Sequence, residues 1–98
     1  MAKKTKSPAV IVRTYSAGVH YGHLAEQSAD GKRVTLTGAR RIWYWKGANT
    51  LHEIALRGVR SGSKVSDAVE SIDLTEAIEI IRCAPAGEAA LEKASWLA

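Results

Sequence analysis

A chain of 98 residues suits one small domain with a thin core and leaves no room for a second. Its apolar share of 46% is that of an ordinary globular protein, and with Phe absent the aromatic packing rests on three Trp and three Tyr. A single Cys, Cys83, excludes an internal disulfide framework, and no apolar run is long enough to span a membrane or to act as an export signal ahead of Arg13. The expectation is a protein of a reducing cytoplasm with no membrane partner. The net charge of +4 conceals a polarity. Residues 1–6 hold Lys3, Lys4 and Lys6. Residues 7–65 hold nine cations and three acids, whereas residues 66–98 hold two cations and seven acids. Two readings follow: a basic face for an acidic partner, or two halves that neutralise each other within the fold or between subunits.

In chain order, residues 1–8 read as a disordered basic tail closed by Pro8, and residues 9–98 as a single domain. Val10, Ile11 and Val12 give Ala9–Tyr15 the β-branched character of a strand. Ser16-Ala17-Gly18 is a turn, and Val19–Leu24 returns as a second strand in which Gly22 marks a bulge or a close backbone approach. Asp30-Gly31 is the strongest hairpin signal in the chain. A third strand follows at Arg33–Thr37, with Val34 and Leu36 facing inward, and Gly38-Ala39 is expected to break the path before a fourth.

That fourth strand is Arg41–Trp45, within Ala39-Arg40-Arg41-Ile42-Trp43-Tyr44-Trp45-Lys46. Alternation puts Arg40, Ile42 and Tyr44 on one face and Arg41, Trp43 and Trp45 on the other. Bulky groups on both faces mean a strand covered twice or one that presents an aromatic surface. Thr50 and Glu53 then form a capping box for a short helix with Leu51, Ile54 and Ala55 on its apolar face and Gly58 at its end. Val59–Asp67 reads as a polar loop. Val69–Cys83 fits either a helix or two short strands, and its isoleucines and the following Ala84-Pro85 favour strands. Pro85 opens a terminal helix that Leu91, Ala94 and Trp96 or Leu97 would dock. The fold class predicted is α+β: a small antiparallel sheet or partial barrel, with a meander of about four strands, a helix, one or two further strands and a C-terminal helix.

Three segments taken together resemble a family of small proteins encoded by tailed bacteriophages. They are Arg13-Thr14-Tyr15-Ser16-Ala17-Gly18-Val19 with Gly22, then Ala39–Trp45 with Gly47-Ala48, Leu51 and Ile54-Ala55, then Thr75-Glu76-Ala77-Ile78-Glu79-Ile80-Ile81. The resemblance covers roughly residues 10–84. It implies a phage or prophage source and synthesis in the cytoplasm of a bacterial host. It brings no activity and no functional residues.

The residues themselves give little support to catalysis. There is no phosphate-binding loop, dinucleotide fingerprint or nucleophile elbow. His20 and His23, three apart on a strand, fall on opposite faces and do not chelate one metal. His52 reads as an exposed helix residue. Cys83 has no neighbouring base to activate it and reads as inert, and Glu76 and Glu79 read as a solvated edge. Neither a catalytic residue nor a metal nor a cofactor is therefore expected. Binding is better supported, because Arg40, Arg41 and Lys46 bracket Trp43, Tyr44 and Trp45, and cations beside rings suit phosphates and nucleobases. Arg13, Tyr15 and Tyr21 on the adjacent hairpin would complete such a surface. The competing reading has Arg40 and Arg41 bridging to the acidic last third, with the rings as core.

The function expected is that of a non-enzymatic accessory protein, a homo-oligomer that binds a nucleotide-type host immune signal or nucleic acid. The alternative is a protein-interaction or virion-associated assembly module, which the two-sided aromatic strand would also suit. A DNA-binding regulator using the Thr50–Arg57 helix is weaker, since His52, Glu53 and Arg57 make a thin basic face.

Overall fold

The β-branched run at the start of the chain forms strand β1, Ala9–Thr14, in a computed structural model that describes residues 7–60 and 62–94. Most of the predicted basic tail, and the docking residues Trp96 and Leu97, lie outside the described residues. β1 turns through Ser16–Gly18 into β2, Val19–Gln27, with Ile11 opposite Tyr21 and Val12 opposite His20. Thr14 holds this turn shut: its hydroxyl donates to the Gly18 carbonyl at 2.8 Å and accepts from the Ala17 N–H at 2.8 Å. The Asp30-Gly31 signal is borne out. Asp30 Oδ1 accepts from Ser28 Oγ and the Lys32 N–H, and Ser28 N–H reaches the Arg33 carbonyl at 2.8 Å to lead into β3.

The predicted third and fourth strands are one element. β3 runs unbroken from Val34 to Tyr44. Gly38-Ala39 does not end it but makes a bulge, because β2 advances from Tyr21 to His23 while β3 retreats from Arg40 to Thr37. Gly22 faces this bulge at close range, and a Cβ there would sit 3.0 Å from Leu36 Cβ and 3.2 Å from the Thr37 carbonyl. The far edge of β3 is shared. Beyond α1, Leu51–Arg57, comes β4, Lys64–Val65, which pairs with Ile42 and Tyr44, and β5, Val69–Leu74, pairs along Val34–Ala39. β6, Ala77–Arg82, returns to pair with β1. The ambiguous stretch is thus two strands, and α2, Pro85–Lys93, closes the chain with Pro at its start.

The link between β5 and β6 bends the whole sheet. These strands lie at opposite edges of the order β5-β3-β2-β1-β6, yet only Thr75 and Glu76 separate them. Three Cα steps reach ~11 Å, whereas the outer strands of a flat five-stranded sheet stand ~19 Å apart. The sheet therefore curls into an open barrel. Val10, Val12, Val34, Leu36, Ala39, Leu74 and Ala77 fill its inside.

The outside carries both helices. Ala9, Ile11, Tyr21, Ile42 and Val65 pack there against Ile54, Ala55 and Leu91. Thr50 caps α1 by accepting from the Glu53 N–H at 3.4 Å, and Gly58 ends it by donating to the Ile54 carbonyl at 2.7 Å. With seven residues, α1 depends on this packing. Gly87 lets α2 lie directly on it, since a Cβ at that position would sit 2.0 Å from the Ala55 carbonyl oxygen. Among the described residues no helix is long and apolar enough to cross a membrane.

Candidate functional site

Strand ends bring most of the predicted binding residues to one end of the sheet. β1 leaves there at Thr14-Tyr15, β2 enters at Val19, and β3 leaves at Tyr44. Strand parity and the helices then divide the residues into a buried set and an accessible set.

Arg40 and Tyr21 belong to the buried set. They face each other across β2 and β3 on the helix-covered side. Arg40 is only 8% exposed, and its guanidinium donates to backbone carbonyls: Ser66 at 2.8 Å, Leu91 at 2.6 Å, Glu92 at 3.2 Å, and Ala94. The last three are carbonyls of the end of α2, which carry partial negative charge and have no helical partner. Arg40 thus does reach the acidic last third, but through main-chain oxygens and not its carboxylates. Tyr21 is fully buried and its hydroxyl donates to Glu92 Oε2 at 2.6 Å. Burial, and secondarily that bond, pushes its ionisation far above the ordinary tyrosine range.

The accessible set contains Arg41, Trp43, Tyr44, Tyr15 and Lys46. Arg41 is exposed on the face opposite Arg40, and among the described residues its guanidinium is paired with no carboxylate. Trp43 is 60% exposed, Tyr44 45% and Tyr15 80%. Lys46 is exposed beyond the strand. Trp45 does not share the Trp43 face as alternation predicts. The pairing steps from Ile42 to Tyr44 on β3 while β4 steps only from Val65 to Lys64, so Trp43 bulges and the strand ends at Tyr44. Trp45 then turns under the chain and packs on the helix-side core.

Two clefts flank this end. On the helix side, Arg13, Trp45, Asn49, Leu51, His52 and Glu79 line a cleft of about 340 Å³. Arg13 is held there 3.8 Å from Glu79, across β1 and β6. On the barrel side, a cleft of about 270 Å³ lies between Arg41, His20 and Ser66, with Ala39, Val69 and Ile72 as its apolar wall and the buried Arg40 also in its lining. His20 is 2% exposed and 2.9 Å from the Ala17 carbonyl. Burial lowers its pKa, the Ala17 bond opposes that, and the Arg41 charge adds to the lowering.

Sequence reasoning weighed His20 only as a metal ligand and His52 only as a solvated residue. Pairing His20 with Arg41 across a hairpin was the signal that could have joined them. His23 lies on the other face, 3.6 Å from Glu88. Cys83 packs at the helix-side core, where burial and then the Glu88 charge push its thiol up to about 11, so it stays protonated and unreactive at neutral pH. No group of three or more His, Cys, Asp or Glu among the described residues is placed to hold a metal ion.

The fold and its clefts define a small open-barrel α+β domain with accessible aromatic and cationic side chains at one end. The chain belongs to the family described as Domain of unknown function (DUF6948), which it matches over residues 7–91. No curated protein and no solved structure matches it.

Proposed function

We propose that this chain is a non-enzymatic, phage-encoded accessory protein that binds a phosphate-bearing ligand of nucleotide type, such as a host immune signal, in the cytoplasm of a bacterial host. The observation that carries this reading is the pairing of Arg41 and Trp43 at the end of β3. They are two residues apart on one strand, the first a cation paired with no carboxylate among the described residues, the second a ring that is 60% exposed. A guanidinium donates two parallel hydrogen bonds to phosphate oxygens. A base stacked on an aromatic ring contributes ~1–3 kcal/mol. The clefts beside them would enclose a small molecule more readily than a polymer.

Native mass spectrometry of protein purified gently from a bacterial host tests this. The expected spectrum shows an oligomer that retains a nucleotide-like mass, and Arg41→Ala and Trp43→Ala proteins that fold but carry none. Bare protein that also fails to bind mononucleotides or single-stranded DNA at low salt would refute the reading. Binding of the oligonucleotide alone, with a steep loss as salt rises, would move the assignment to nucleic acid.

A second reading, an assembly module, is favoured by the exposure of Tyr15, Trp43, Tyr44, Val69 and Ile78 on a chain this small. A monomer by light scattering, with no partner recovered in pull-downs, would remove it.

A further inference from the structure

We propose that the barrel-side cleft holds the sugar-phosphate portion of a mononucleotide, with Arg41 taking the phosphate and His20 Nδ1 accepting a hydrogen bond from a sugar hydroxyl. The proposal rests on the phosphate-ligand reading above and gives it a pocket and a ligand class.

The placement comes from the sheet. Val12, His20 and Arg41 form one row across β1, β2 and β3 on the inner face. Directly opposed side chains of an antiparallel pair stand with Cβ atoms ~4.5–5.5 Å apart, so His20 and Arg41 address the same space. The imidazole is oriented by the β1–β2 turn. A carbonyl only accepts, so the 2.9 Å contact with Ala17 fixes the proton on Nε2, and the neutral ring carries its lone pair on Nδ1. Nε2 is thus taken by Ala17, and Nδ1 has no partner among the described residues. His20 is one of the residues that line the cleft. Burial and the Arg41 charge both keep the ring neutral, which preserves Nδ1 as an acceptor at pH 7.

The other polar groups of the cleft are already committed. Ser66 Oγ accepts from the Arg41 N–H at 2.8 Å and donates to the Asp67 carbonyl at 3.1 Å. Arg40 gives its guanidinium to Ser66 and the end of α2. What remains is one cationic donor and one neutral acceptor beside an apolar wall. The complementary ligand carries an anion and a hydroxyl donor a few bonds apart and offers an apolar face. A phosphate monoester of a sugar has that pattern, and inorganic phosphate lacks the carbon skeleton for the wall. A volume of about 270 Å³ lies near the lower limit of small-molecule pockets and suits a sugar phosphate.

The test is a titration of uniformly ¹⁵N-labelled protein with ribose 5-phosphate, ribose and inorganic phosphate, following imidazole, guanidinium and indole nitrogens by NMR. The expected result is that ribose 5-phosphate moves the His20 Nδ1 and Arg41 signals. It binds about tenfold more tightly than inorganic phosphate, and ribose alone does not bind. In a folded His20→Phe protein that advantage falls about fivefold, since one hydrogen bond is worth roughly 1 kcal/mol and the apolar wall remains. If ribose 5-phosphate moves only Trp45 and Arg13 signals, or His20→Phe keeps the full advantage, the pocket assignment is wrong while phosphate binding stands. If no phosphorylated probe binds anywhere, both the assignment and the reading beneath it fail.

Discussion

Arg40 and Arg41 are neighbours in the chain and have opposite fates. Arg40 points to the face that the helices cover, where its guanidinium closes the carbonyl end of α2. Arg41 points to the other face and stays exposed beside His20, in a cleft. Local composition does not separate them, because both sit in the same aromatic strand. Strand parity separates them, together with the question of which face an element 50 residues later will cover. The same division runs through the whole end of the sheet: Tyr21 and Trp45 go to the covered side, Trp43 and Tyr15 to solvent. Residues alike in sequence thus divide into those that the fold buries and those that it leaves exposed.

The largest expected effect lies on the covered face. Arg40→Met removes a buried cation from three helix-end carbonyls and the Ser66 carbonyl, and should cost on the order of 3–4 kcal/mol in urea unfolding. A loss below about 1 kcal/mol would mean that the two arginines do not differ in kind. Next comes Gly87→Ala, where the helix propensity gain is overwhelmed by a Cβ driven into the Ala55 carbonyl, for a net loss of about 1–3 kcal/mol. Gly87→Ala with unchanged stability would show that α2 is not seated on α1 as described.

Titration sharpens the comparison further, because each face carries a group shifted by burial. Cys83, on the covered side, has a thiol raised from 9.0 to about 11. The unfolded chain loses that proton first, so the folded state should lose stability between pH 9 and pH 11, and Cys83→Ala should flatten that slope. His20 is lowered from 6.5, so the unfolded chain gains its proton first and stability should fall as pH drops below 6.5. His20→Phe should remove that contribution. Equal slopes in wild type and variant would show that the ring is not kept neutral by the fold.

Much of this fold is legible in the sequence because local chemistry and the final packing agree. Asp30-Gly31 demands a hairpin and makes one, Thr50 and Glu53 start a helix, Pro85 starts another, and the isoleucines after Val69 form strands. Gly38-Ala39 misleads because the residues that break a strand are also those that bulge within one, and only pairing with β2 and β5 shows which. β4 is hidden in a polar loop because two residues carry no periodicity. The candidate site is half legible. Its aromatic and basic composition is plain, and the parity of Arg40 and Arg41 is readable. That α2 would cover Arg40 and Tyr21, and that the Trp43 bulge would turn Trp45 inward, are tertiary outcomes with no local signal.

The smallest expected change in stability carries the most weight. Arg41→Ala should unfold within about 0.5 kcal/mol of wild type, as an exposed substitution does. The decisive measurement applies two readouts to that one protein: urea unfolding and calorimetric titration with a mononucleotide, beside wild type. Wild-type stability with binding reduced tenfold or more is the result predicted. Binding equal to wild type, or a stability loss as large as that of Arg40→Met, would contradict the division between the two faces.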